Sequence, residues 1–271
     1  MGALTVRFWG VRGSTPTPGD RYLRYGGNTS CLEVRFGEQL LILDAGTGLR
    51  ELGLALGAQK LDADLLLTHT HLDHIGGFPF FGPLYEPGNR FVVWAGHLAP
   101  ERAIERVLHD FMADPVFPVP PSRFGASVTY RDFRAGDVLR PRPGIVVRTG
   151  LLPHPNRATG YRIEAGGRSI CYVTDTEHEP GVRNAAVCAL VQDADVMIYD
   201  STFTDAEYPR FVGWGHSTWQ EGVRIADAAN VKQLVVFHHD PSHDDAVMDE
   251  IAAEVERARP GTVVAREGLV V

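Results

Sequence analysis

Short apolar runs alternate along this chain with polar, turn-rich segments. Leu4 to Trp9, Cys31 to Phe36, Leu40 to Leu43, Asp64 to Leu67 and Phe91 to Trp94 have the length and the bounding turns of strands. So do Ile145 to Arg148, Tyr161 to Glu164, Ser169 to Val173 and Val196 to Tyr199. Apolar positions take helical spacing at Pro100 to Phe111, Gly181 to Val191, Thr218 to Ala229 and Asp244 to Ala258. In the third of these, Trp219, Val223, Ile225 and Ala226 mark one face, with Ser217 or Thr218 as the N-cap ahead of Glu221. Strands alternating with helices predict a layered α/β fold. The pattern does not order the strands.

The run Leu65-Leu66-Leu67 leads into Thr68-His69-Thr70-His71-Leu72-Asp73-His74-Ile75-Gly76-Gly77, which places three imidazoles and a carboxylate within six residues. A lone histidine in a polar loop is usually a hydrogen-bonding residue, but four ligand types in so short a loop point to metal. Alternate side chains of an extended segment share a face. His69 and His71 can therefore grip one ion, while Asp73 and His74, past the turn, face a second. Imidazole with carboxylate suits zinc first, with manganese or iron as alternatives.

His-Thr-His-Leu-Asp-His-Ile-Gly-Gly resembles the H-x-H-x-D-H signature of the metallo-β-lactamase-fold hydrolases. Further motifs of that family have matches in the same order along nearly the whole chain. The early structural Asp corresponds to Asp44 in Leu40-Leu41-Ile42-Leu43-Asp44, and the later His ligand to His154 in Leu151-Leu152-Pro153-His154. The bridging Asp corresponds to Asp175 after Ile170-Cys171-Tyr172-Val173-Thr174, and the last His ligand to His238 after Leu234-Val235-Val236-Phe237. His239 is the alternative to His238, and only one of two neighbours after a strand should face the metals.

The resemblance implies an αββα four-layer sandwich with ligands on loops along one edge. It assigns His69, His71 and His154 to one metal and Asp73, His74 and His238 to the other, with Asp175 bridging. Two divalent ions so held share a water, lower its pKa and leave a bridging hydroxide to attack an electrophile. Asp73 counts as both ligand and catalytic residue, and Asp44 is a candidate to orient a ligand imidazole.

Composition agrees with a compact soluble enzyme. The 271 residues, 44% of them hydrophobic, are expected to form one domain over residues 1–271, with a lid or insert at about residues 95–143. Within that stretch Asp114 to Pro121 carries four prolines and reads as a rigid connection or as a wall of the pocket. No run approaches the roughly 20 apolar residues of a membrane span, and the start Met1 to Arg7 has no signal-like apolar core. A cytoplasmic protein is expected. Cys31, Cys171 and Cys188 have no C-x-x-C spacing and read as small buried hydrophobes. The formal charge of −8 would become −4 with two divalent ions, which disfavours a broad nucleic-acid surface but leaves room for a phosphate ester at a locally positive site.

Substrate clues lie outside the ligand motifs. Trp214-Gly215-His216-Ser217-Thr218 falls between the Asp175 and His238 motifs and resembles the histidine of the ribonuclease Z and cyclic-nucleotide phosphodiesterase branch that contacts the scissile phosphate or assists the leaving oxygen. His216 is therefore a catalytic candidate. Phe8-Trp9-Gly10-Val11-Arg12-Gly13-Ser14-Thr15-Pro16 and Gly26-Gly27-Asn28-Thr29-Ser30 resemble the first strand and glycine-rich turn of that branch. Arg12 becomes a candidate anion binder and Asn28 a candidate support of the pocket rim, against the plainer reading of a Gly/Pro-shaped hairpin.

Ribonuclease Z carries a long tRNA-gripping arm between the motifs that correspond to His154 and Asp175, and the short interval here has no space for it. The charges from Ala95 to Pro143 are mixed rather than basic. The expected substrate is thus a small or flexible phosphodiester, with nucleic acid disfavoured and a homodimer as the assembly to consider. The alternatives are a lactone or thioester hydrolase of the same fold, ribonuclease Z-like RNA processing, and a metal-bound ligand sensor without turnover.

Overall fold

The computed structural model describes residues 2–271. Its first sheet runs β1 (Leu4–Gly10), β2 (Cys31–Phe36), β3 (Gln39–Leu43), β4 (Asp62–Leu67), β5 (Arg90–Ala95) and β6 (Ser127–Asp132), neighbours in space as in sequence. The second holds β7 (Val138–Leu139), β8 (Ile145–Leu152), β9 (Ala158–Ala165), β10 (Arg168–Val173), β11 (Val196–Asp200), β12 (Gln233–Phe237) and β13 (Val263–Val264), again in chain order. Each sheet begins as an antiparallel meander and becomes parallel, from β3 onward in the first and from β10 onward in the second.

The leucine runs follow from burial on both faces. Leu41, Leu43 and Leu66 point between the sheets, where they meet Tyr161, Ile170, Ile198 and Phe237. Their neighbours Leu40, Ile42, Leu65 and Leu67 point outward, beneath α1 (Gly48–Leu56) and α3 (Ile104–Phe111); between these two the single turn α2 (Leu72–Ile75) carries Asp73 and His74. A sheet covered on both sides needs apolar residues at every position rather than at alternate ones, and each fully buried leucine contributes about 1.5–3 kcal/mol. On the far side, α4 (Ala185–Val191) and α5 (Trp219–Ala228) cover Cys171, Val173, Met197 and Leu234, and α6 (Asp245–Ala258) packs Met248, Ile251 and Val255 near Val236. The layers are helix, sheet, sheet, helix, as the resemblance implied.

Helix starts differ from the apolar pattern because capping decides them. Asp132 accepts the Ile104 N–H at 2.9 Å, so α3 begins there rather than at Pro100. Asn184 accepts the N–H groups of Ala186 and Val187 and starts α4 four residues after Gly181. Thr218, not Ser217, caps α5 by accepting the Glu221 N–H. The pattern gave no sign of α1, β6, β7 or β13. Most of the stretch 95–143 is framework: α3 lies on the outer face and β6 pairs in parallel with β5. Its proline-rich part sets Phe117 edge-on to Phe80, with ring centres 5.6 Å apart.

Among the described residues, no helix is long and apolar enough to cross a membrane. The ends of β3, β4, β8, β10, β11 and β12 carry Asp44, His69, His154, Asp175, Asp200 and His238 respectively, on or just beyond the last strand residue. The edge of an α/β sandwich where strands end is a recurrent place for ligands.

Candidate functional site

Three strand ends stop in the left-handed region, at Asp44 (φ 60°), Asp175 (φ 57°) and His238 (φ 64°). Non-glycine residues rarely hold this conformation, at a cost of about 1–3 kcal/mol each, and it persists where the surroundings over-determine it. Here each turn aims a polar side chain back across the top of the two sheets. Gly13 makes room for one of them, since a Cβ there would lie 2.3 Å from Cε1 of His238.

Asp73, His74, Asp175 and His238 form one group, all buried. Nε2 of His74 lies 3.3 Å from Asp73 Oδ2, 3.1 Å from Asp175 Oδ2 and 3.3 Å from Nε2 of His238. Nε2 of His238 is 3.4 Å from each of the same two carboxylate oxygens. Bonds of about 2.0–2.1 Å around a tetrahedral ion put neighbouring donors about 3.3–3.4 Å apart. The spacing fits a cation at the centre.

His69, His71 and His154 form a second, more open group. Nδ1 of His71 is 3.1 Å from Nε2 of His154, and Oδ1 of Asp175 lies 3.7 Å from the Nε2 atoms of both His69 and His154. Asp175 thus turns one oxygen to each group. His238 faces the cluster, whereas His239 points away and bonds its Nε2 to the Ala265 carbonyl at 2.8 Å.

Hydrogen bonds at the far nitrogens set the tautomers. The Gly215 carbonyl, which can only accept, takes a proton from Nδ1 of His154 at 2.7 Å, so Nε2 offers a lone pair. Asp44 holds Nδ1 of His74 at 2.8 Å and also accepts from Tyr172 and Thr68. Thr202 lies 3.0 Å from Nδ1 of His238, and Thr68 lies 3.1 Å from Nδ1 of His69. Such partners orient ligand imidazoles and raise their basicity.

Two further observations fit a metal. Nε2 of His69 is buried with no hydrogen-bond partner among the described residues, a costly state for a polar atom unless something binds it. Burial alone would keep His74 neutral, but Asp175, Asp73 and Asp44 raise its pKa well above the ordinary imidazole value. These carboxylates favour positive charge at this place, which a divalent ion would supply.

His216 sits over both groups, its ring centre 5.4 Å from that of His154 and 5.0 Å from that of His238. Its Nδ1 is 3.0 Å from Asp200 Oδ2 and 3.9 Å from Asp175 Oδ1. Burial disfavours the imidazolium, yet Asp200, with Asp175 and Asp73, lifts the His216 pKa to about 9.

Asp200, absent from the sequence reading, also accepts from the Thr176 and Thr202 N–H groups and so ties three site loops together. Val196-Met197-Ile198-Tyr199-Asp200 repeats the form of the strand that ends in Asp44, and that parallel was the available signal. Asp73 is held too. The Ser14 N–H donates to its Oδ2 at 2.7 Å, and although burial opposes its charge, His74 and His238 keep its carboxyl far below the usual range.

The two candidates for substrate contact lie elsewhere. Arg12 is wholly buried; its Nε and Nη1 donate to the carbonyls of Gly26, Asp240 and His243, and it stacks on Tyr22. It braces the loop after His238 against the glycine-rich turn, while its Nη2 is buried with no hydrogen-bond partner among the described residues. Asn28 accepts from Thr47 Oγ1 at 3.0 Å and gives its N–H to Glu267. It fastens the turn to the start of α1.

The profile of the β-lactamase superfamily domain matches residues 40–239. A ribonuclease Z of Bradyrhizobium diazoefficiens is 27% identical over 290 residues, covering 89% of this chain and 92% of the relative. The metallo-β-lactamase fold protein YhfI from Bacillus subtilis superposes with a TM-score of 0.77 at 20% identity, covering 100% of this chain and 99% of its own. A diphosphatase of the PhnP family does so at 0.74 and 21% identity, covering 99% and 97%. The matched span of this chain includes every strand-end carboxylate and imidazole described above, and the layered architecture is common to these proteins. The chain therefore belongs to the β-lactamase superfamily and is a hydrolase of the metallo-β-lactamase fold, a fold that implies divalent metal ions at this cluster.

Proposed function

We propose that this hydrolase is a phosphodiesterase with two divalent ions, zinc first, acting on a small or flexible phosphodiester. The observation that carries the reading is the His216–Asp200 pair beside Asp175. On this reading His69, His71 and His154 hold one ion, Asp73, His74 and His238 the other, and Asp175 serves both. Ions bound there would activate water near neutral pH and polarise a phosphoryl oxygen.

The protein's own groups do the rest. Asp200 holds His216 charged, so that its second nitrogen can donate a proton to the leaving oxygen as the phosphorus–oxygen bond breaks, an assistance worth typically about 10²–10⁴-fold. Asp73, kept ionised, acts as ligand and water-orienting acceptor rather than as a proton store. Asp44, Thr202 and the Gly215 carbonyl keep the ligand imidazoles in one orientation.

The ribonuclease Z relative favours a second reading, 3′ processing of precursor tRNA, and nucleic acid stays among the substrates to test. Against it, β9 and β10 form a tight hairpin between His154 and Asp175, with Gly166 and Gly167 at its turn, in the interval where the ribonuclease Z resemblance would place an RNA-gripping arm. Metal-loaded protein assayed on phosphodiesters, phosphomonoesters, lactones, thioesters and precursor tRNA separates these readings. Diesters should be cleaved faster than monoesters, with weak, salt-sensitive action on tRNA. Efficient single-site cleavage of precursor tRNA at physiological salt would put ribonuclease Z first, and turnover confined to lactones or thioesters would remove the phosphodiesterase.

A further inference from the structure

A cavity of about 610 Å³ opens beside the cluster and shares His154 with it. It lies between the loop that follows β8, the loop that leads to α4, and Val212. Any molecule whose phosphate sits at the cluster must lay its remaining atoms somewhere along this rim, and here the space is already formed. A subsite that exists before binding avoids the cost of ordering it.

The chemistry of the walls is one-sided. Three prolines, Val182 and Val212 give a rigid apolar lining, while Glu177 and Glu179 give negative charge. None of the described residues lining the cavity is a lysine or arginine; Arg183 lines a neighbouring cavity instead. The wall near Val212 is held in place, because the Glu177 carboxylate accepts the N–H groups of Gly213 and Gly215 at 2.6 and 2.8 Å. Gly215 in turn seats His154. Glu179 is solvent-exposed at the rim, where an incoming group meets it first.

We infer that this cavity receives one ester arm of the substrate and selects an uncharged, flat or apolar arm over one that carries a further phosphate or carboxylate. The inference rests on the phosphodiesterase reading and narrows its substrate class. The cluster takes the single negative charge of the diester, and a second anion lodged in the cavity would meet Glu177 and Glu179 with no lysine or arginine in the lining to offset them. An oligonucleotide, which carries a phosphate at every step, is a poor occupant by the same argument.

The test compares bis(p-nitrophenyl) phosphate with bis(p-carboxyphenyl) phosphate on the metal-loaded enzyme, because the two are symmetric and either arm reports the same charge. KM should be about tenfold higher for the carboxylated diester. Glu179→Lys should bring the two KM values together, and Val212→Trp, which puts a large ring at the cavity wall, should raise KM for the nitrophenyl diester about tenfold. Both variants should keep the metal content of the parent by elemental analysis. KM values for the two diesters that agree in the parent, or a ratio that neither substitution moves, would overturn the subsite.

Should neither diester be cleaved, the phosphodiesterase reading falls, and the cavity is judged by calorimetry with phenyl phosphate and p-carboxyphenyl phosphate on the metal-loaded protein. Tighter binding of phenyl phosphate that Val212→Trp abolishes upholds the subsite. Equal affinities, or affinities that Val212→Trp leaves unchanged, refute it.

Discussion

The two ligand groups share Asp175 but are built differently. In the group of Asp73, His74, Asp175 and His238 every member is buried, and Asp44, Thr202 and the Ser14 N–H hold three of them from outside. In the group of His69, His71 and His154 the His69 and His154 imidazoles are buried, but His71 is not. His71 is half-exposed, with Nε2 beside the exposed Asn156, and His154 depends on one carbonyl in a loop that borders the open cavity. A closed, cross-braced group keeps its geometry and excludes water. An open one gives substrate a way in, at the cost of looser support.

The sharpest way to break this comparison is to remove what the groups share. Asp175→Ala should lower metal occupancy at both, and turnover should fall by more than the roughly 10–100-fold typical of losing an orienting partner. Elemental analysis after reconstitution checks it. A variant that still binds two ions per chain would show that Asp175 does not bridge.

His216→Ala leaves both groups whole, so metal content should stay at the parental value while kcat on phosphodiesters drops by about 10²–10⁴-fold. Equal kcat in variant and parent, on esters with poor as well as good leaving groups, would remove His216 from the chemistry.

A pair of substitutions then separates the groups. Asp44→Ala takes the orienting carboxylate from His74 and should weaken metal affinity about 10–100-fold in the buried group alone. Gly215→Ala should act on the open group alone, because its backbone is at φ 87° and a Cβ would lie 2.3 Å from Nδ1 of His154. Anomalous scattering from crystals of each variant reads the two positions separately. Loss at both positions in both variants would mean that the groups are one unit.

The smallest effect is a shift in pH dependence. Asp200 favours the charged form of His216, so Asp200→Asn must lower the pKa of that histidine from its raised value of about 9. An acid that loses its proton at lower pH stops working at lower pH, and the basic limb of the kcat profile should move down. Bound cations oppose the proton and lower the His216 pKa in parent and variant alike. The direction of the difference is unaffected, and an unmoved limb would separate Asp200 from the acid step.

How far this site was legible follows from where its residues lie along the chain. His69, His71, Asp73 and His74 are neighbours in sequence, and their density alone pointed to metal. Asp44, His154, Asp175 and His238 each end a strongly apolar strand, which made them recognisable once the family pattern supplied the order. Asp200 ends such a strand too, but no ligand role pointed to it, and its importance depends on His216 arriving from another loop. Arg12 shows what only packing reveals: its Nε and Nη1 go to backbone carbonyls, while its buried Nη2 has no hydrogen-bond partner among the described residues.

The same division runs through the whole molecule. Local sequence determined the strands, because burial on both faces imposes unbroken apolar runs, and it determined the ligand types, because imidazole and carboxylate are irreplaceable for a hard-to-borderline cation. Helix starts, the sixth strand of the first sheet, the turning away of His239 and the placing of one Asp175 oxygen toward each ligand group belong to the tertiary structure. Each depends on a partner distant along the chain: Asp132 for α3, β5 for β6, the Ala265 carbonyl for His239, and Asp175 for both ligand groups. A one-dimensional pattern records what a residue prefers, while the fold decides which of its preferences can be satisfied.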